Sequence, residues 1–138
     1  MPVNERNLGN VITATANADL STKQFHAVKF VANTTDPPGF NMDVQGAANA
    51  IAGILQDNPV INQAGGVQVT GITPVAISAS AGTITGGTTY LQVDSVAGTG
   101  TLIPVSAGVV VALALESLAT TASIAIITAE LLPSNATQ

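Results

Sequence analysis

Glu116 and Glu130 come first in any search for chemistry, because two carboxylates are the usual pair for general acid–base work. Each sits at or near the end of an apolar run, where a charge ordinarily just reaches water. His26 is the single histidine. A general base needs an orienting partner and a group to act on, and the serines have no G-x-S-x-G setting. His26 therefore reads as a strand histidine. Asp36, Asp43 and Asp57 carry oxygens of the kind calcium binds, but their spacing matches no D-x-D-x-D-G loop. A turn and a cap use Asp anyway. Gly82, Gly86 and Gly87 are not followed by Lys, so they read as hairpin glycines rather than a phosphate loop. The chain has no Cys, which excludes disulfides and thiolate metal sites, and one His argues against a zinc site. These residues indicate no enzyme, no cofactor and no metal.

The chain that must position them has 138 residues, the size of one ordinary domain. Hydrophobic residues make up 46%, enough for a core, and charged residues only 8%, against about 25% in typical soluble proteins. A surface so short of charge hints at a partner covering much of it. The net charge of −5 is unevenly spread. Arg6, Lys23 and Lys29 all lie in residues 1–29, whereas residues 30–138 hold six acids and no base. Such a body repels phosphate, which argues against nucleic acid and against anionic lipid. Residues 1–7 carry no apolar signal core.

Val, Ile, Ala and Thr dominate the apolar runs, a composition suited to pleated sheet. Residues 1–22 read as an extended N-terminal arm that pairs only when it meets a partner, and residues 23–138 as one β-rich body. Residues 25–32 alternate as a strand, and residues 33–43 form a loop around Asp36-Pro37-Pro38-Gly39. Apolar residues at 44, 47, 48, 51 and 55 predict a short helix, weakened by Gly46 and Gly53, running into a strand over residues 51–56. Beyond residue 60 the rhythm is β, with strands over residues 67–70, 74–79, 90–93, 108–115 and 123–132. Turn signals near every tenth residue predict a barrel or sandwich with at most one short helix. Residues 108–132 are apolar enough to suggest a membrane span, but Glu116, Thr120, Thr121 and Ser123 interrupt them, so two strands and a turn are expected.

The order of features from residue 51 onward is informative. Ile54-Leu55-Gln56-Asp57-Asn58-Pro59 is followed by Gly65-Gly66-Val67-Gln68-Val69-Thr70-Gly71-Ile72. Ala81-Gly82-Thr83-Ile84-Thr85-Gly86-Gly87 leads to a strand ending at Asp94. A run ending Ala112-Leu113-Ala114-Leu115-Glu116 precedes a small-residue turn and a closing apolar strand. This order resembles the small capsid cement, or head decoration, proteins of tailed bacteriophages. In that family a G-V-L-Q-N-x-P strand, an A-x-V-x-V-x-G strand, an I-x-x-G turn, an A-L-E-A strand and an I-x-V-x-L strand follow one another. The stretch 1–22, the 36–43 loop and Ser117-Leu118 depart from that pattern.

The resemblance implies a β-rich homotrimer on the outer surface of the capsid, made in the bacterial cytoplasm. It implies the major capsid protein as partner, a seat between capsomers, and no catalysis. Val3, Leu8, Val11 and Ile12 are the expected capsid or subunit contacts, ordering on binding. The alternative is a trimeric fibre, spike or adhesin-like module. That alternative predicts a sequence period, and none is visible; it also predicts aromatic sugar contacts, and Tyr90 is the only Tyr with no Trp.

Overall fold

Runs rich in Val, Ile and Thr become strands wherever their alternate residues find an interior to face. The computed structural model describes residues 10–32, 41–119 and 123–132. Among them there are ten strands and no helix. The first five are β1 (Val11–Ala16), β2 (Ala27–Val31), β3 (Asn41–Val44), β4 (Gly53–Leu55) and β5 (Ala64–Gln68). They close a barrel in the order β1-β3-β2-β4-β5. The others are β6 (Gly71–Ile77), β7 (Tyr90–Val93), β8 (Leu102–Pro104), β9 (Ala112–Ala114) and β10 (Ala125–Leu131), and they close a second barrel, β10-β6-β8-β7-β9. The mainly β fold class is as expected.

The two barrels are one topology used twice. In each, the first and third strands pair in parallel and every other neighbouring pair is antiparallel. The register is the same as well. Ala14 opposite Gly65 corresponds to Val75 opposite Ile127. Val28 opposite Gly53 corresponds to Leu91 opposite Ala112, and Leu55 opposite Val67 to Ala114 opposite Ala129. Met42 meets Ala16 and Phe30 as Leu102 meets Ile77 and Val93. No period shows in the sequence because bulk has moved between positions: Leu55 and Val67 fill one interior where Ile127 and Val75 fill the other. A core requires total volume in the right faces more than a given side chain at each.

Residues 11–16 are extended, as read from the sequence, but their pairing partners lie within the chain. β1 joins β5 and β3, and Ala14, Ala16 and Leu20 are buried in the first core. The expectation of an arm that pairs only with an external partner is corrected there; residues 1–9 lie outside the described residues. The helix expected from residue 44 is also corrected. Val44 ends β3, and residues 47–49 bend around the buried Gln45, whose Nε2 donates to the Ala50 carbonyl at 2.7 Å and whose Oε1 accepts from Ala47 N–H at 3.1 Å. The strand expected over residues 51–56 forms as β4. Gly53 is fixed there by packing, since a Cβ would lie 2.3 Å from the Gln68 carbonyl oxygen. Residues 108–132 supply β9 and β10, and among the described residues no helix is long and apolar enough to cross a membrane.

The barrels meet side to mouth. Ala27 and Ile54 point outward from the first barrel and cluster with Val93, Leu102, Val111 and Leu131 of the second. Backbone hydrogen bonds stitch the contact: Ala27 N–H to Gly100 carbonyl at 2.8 Å, Ala76 N–H to Phe25 carbonyl at 2.9 Å, and Val109 N–H to Ala48 carbonyl at 3.0 Å. Gly100 permits the approach, because a Cβ there would lie 2.6 Å from the Ala27 carbonyl oxygen.

Candidate functional site

The acidic candidates do not converge with a base. Glu116 Oε1 accepts the backbone N–H of Thr128 at 2.6 Å, which ties the β9–β10 connection to β10. Glu130 stands on the outer face of β10 between Leu113 and Ile72 on the neighbouring strands. His26 is buried on the first barrel, with Nδ1 3.1 Å from the Gln24 carbonyl oxygen. Asp43 Oδ1 accepts from Val44 N–H and Asp57 Oδ2 from Gly66 N–H, so both carboxylates hold local backbone. Asp36 lies outside the described residues. Among the described residues no three His, Asp or Glu side chains gather as a metal site would require. Gly82 and Gly87 have φ of +80° and +87°, the turn conformation expected of them. A cleft of about 200 Å³ between the barrels is lined by Ile51, Ala52, Gly53, Val69, Val111, Leu131 and Leu132, none of which can move a proton.

The titrating groups make a stability prediction instead. Burial pushes the His26 pKa below its ordinary 6.5; the nearby Lys23 charge adds to this, and the Gln24 carbonyl partly opposes it. The unfolded chain then takes up the proton more readily than the folded one. Stability is expected to fall as pH drops from the unfolded value of 6.5 toward the lower folded one. Urea unfolding just above and below that value checks it, and His26→Gln removes the slope. Glu116, held low by the Thr128 N–H, and Asp19, held low by the Ser21 hydroxyl and N–H, act in a separate and more acidic window. Their contributions are present above the unfolded values and lost as pH falls through the folded ones.

What remains as a candidate site is surface. Val3 and Leu8 lie outside the described residues. Val11 is 56% exposed at the start of β1, whereas Ile12 turns inward against the first core. Sequence reading missed the outer face of the second barrel. There Tyr90 pairs with Leu113, Leu113 with Glu130 and Glu130 with Ile72, forming one row across four strands. Val105 extends it, donating its N–H to the Tyr90 carbonyl at 2.9 Å. Buried Gln92 fixes that end, since its Oε1 accepts the N–H groups of Ser106, Ala107 and Gly108. Ile124 and Ile126 add exposed apolar surface on and beside β10. The available signal was apolar residues on both faces of the last strand: Ile127, Ala129 and Leu131 fill the core while Ile126 faces out. Such a face is suited to binding another protein surface.

No family model and no curated protein matches the chain. Among solved structures it is similar to the crystal structure of the N base of head fiber gp8.5 from bacteriophage phi29. The TM-score is 0.61 at 12% identity, over 91% of this chain and 95% of that one. At this identity the likeness is one of architecture, and it spans both barrels: this chain has the fold of a bacteriophage head-fibre base.

Proposed function

We propose that this chain is a structural protein attached to the outer surface of a tailed-bacteriophage head. The observation that carries the reading is a fold shared over nearly the whole of both chains with a head-fibre base. The low charge and the apolar outer face suit a protein that works through contact area. A body with no base beyond residue 29 suits a position away from packaged DNA.

In the finer form of the proposal, the chain is a homotrimer that bridges capsomers by binding the major capsid protein and cements the shell against DNA pressure. Three modest footprints joined in one trimer bind with high effective concentration. The likeness to the phi29 head-fiber base favours a second form, in which the same body is the foot of a projecting fibre. Both forms require attachment to a head.

Cosedimentation of the purified protein with mature heads lacking it, and with unexpanded precursor heads, tests the attachment. Saturable binding to mature heads is the expected outcome. Absence of binding to either, with the matched phage, overturns the reading. Heating decorated and bare heads separates the two forms: a cement raises the rupture temperature, and a fibre foot leaves it unchanged.

A further inference from the structure

The two barrels share a topology and a register, so each serves as a control for the other. On the outer side of the first barrel, Ala27 pairs with Ile54, Ile54 with Gln68 and Gln68 with Val11. The second barrel packs on this row and leaves Ala27 and Ile54 fully buried. The equivalent row on the second barrel is Tyr90, Leu113, Glu130 and Ile72. There Tyr90 is 48% exposed and Ile72 is exposed as well.

The next positions along the same strands make a sharper comparison. Leu115 donates its N–H to the Thr128 carbonyl at 2.9 Å, as Gln56 donates to the Gly66 carbonyl at 2.8 Å. Thr128 lies opposite Pro74 as Gly66 lies opposite Thr13, and Ile126 lies opposite Ala76 as Ala64 lies opposite Thr15. In the first barrel Thr13 and Ala64 are exposed and Gln56 partly so. The second barrel has Pro74, Ile126 and Leu115 at the same three places, with Leu115 exposed and Ile126 50% exposed. One topology thus meets water with polar and small side chains in one barrel and carries apolar ones in the other. The barrel does not call for them, since the first is built without them; contact with another molecule does.

Charge selects the occupant. Glu130 stands within this face, between Leu113 and Ile72. A carboxylate enclosed by apolar surface on binding needs a base from the other side. A second copy offering the same face would bring Glu130 against Glu130, and residues 30–138 hold six acids and no base. A different protein surface, apolar and carrying an Arg or Lys, fits instead. We infer that the outer face of the second barrel, from Tyr90 to Ile126, is the footprint of this chain on the shell protein of the head, which sets an Arg or Lys against Glu130. The inference rests on the proposed attachment to a head and assigns that attachment a face and a chemistry.

The test is a binding isotherm by cosedimentation with matched mature heads, for the full chain and three variants. Pro74→Thr/Leu115→Gln/Ile126→Ala gives the second barrel the residues that the first barrel already accepts at those places. It is expected to bind about 30-fold more weakly, or worse, with its circular dichroism spectrum and melting temperature in place. Glu130→Lys changes one exposed side chain and sets a base against a base; it is expected to lose at least as much. Should the triple variant melt lower, Glu130→Lys carries the test by itself. Val96→Glu, on an exposed turn outside the face, is expected to bind as the parent does. A parent that does not bind overturns the attachment, and this inference with it. A parent that binds, with Glu130→Lys and the folded triple variant binding equally well, overturns this inference and leaves the attachment standing. Sedimentation velocity without heads gives the last outcome. Variants that dissociate an oligomer of the parent yet bind heads with parental affinity would show that a second copy covers the face, which also overturns the inference.

Discussion

Deleting residues 1–16 is expected to leave a chain whose first barrel does not form. β1 closes that barrel between β5 and β3, with Val11 to Thr15 in register with Gln68 to Ala64, and Thr15 and Ala16 beside Asn41 and Met42. Removing it opens two strand edges at once and uncovers Met42, Leu55 and Val67 from the side that Ala14 and Ala16 close. Each lost backbone hydrogen bond contributes only about 0.5–1.5 kcal/mol net. Several of them together with the buried apolar area amount to much of the roughly 5–15 kcal/mol that holds a domain folded. Loss of the cooperative urea transition of the first barrel checks this. A truncated chain with parental stability would return residues 11–16 to the role of an arm. Docking is tested by a shorter cut. Deleting residues 1–9 removes Val3 and Leu8 while keeping β1, so lost head binding with kept stability would assign them the contact.

Gly53→Val is the second large effect. A Cβ at this position would lie 2.3 Å from the Gln68 carbonyl oxygen and 2.9 Å from its carbon, so backbone rather than a side-chain tip must move. The obstruction lies where β4 meets β5, and Ile54 beside it packs against the second barrel. Shifting β4 therefore disturbs one barrel and the contact between both. Overpacking of a tight interior costs typically about 1–3 kcal/mol, and backbone obstruction places this variant at or above the upper end. For a chain of this size the midpoint of thermal unfolding should fall by about 10 °C. The second barrel has Ala112 at the equivalent place and buries its methyl group, so the demand for glycine comes from local packing and not from the topology. Thermal melts of Gly53→Val and Gly53→Ala check it, and an unchanged midpoint for the valine variant would show that β4 can yield.

Single elements were legible to different degrees. Strands β2, β7 and β10 lie within runs whose composition and alternation mark them, because a half-buried strand exposes every second residue to a different medium. The stretch from residue 44 misled for a physical reason. Apolar residues at helical spacing there are shared between the end of β3, a bend around Gln45, and β4, and tertiary contacts outweigh a weak local helix preference. The contact residues were read from the apolar content of residues 1–22. That content includes Ile12, which the first core uses, and the apolar outer face formed by Tyr90, Leu113 and Ile72 passed unnoticed.

Composition and order by themselves determined that this is a β protein of low charge, with one His, no Cys and no base beyond residue 29. They also carried a resemblance to proteins of the phage head. Those properties depend on which residues are present and on their near neighbours. Only the tertiary structure decided that the strands close into two barrels of one topology and that β1 belongs to the first. It alone decided that Ala27 and Ile54 are covered while Tyr90 and Ile72 are exposed. The reason is that strand pairing joins residues far apart in the chain, as Val11 joins Gln68. An apolar residue on a strand has the same appearance in sequence whether it faces a core, a neighbouring barrel or another molecule.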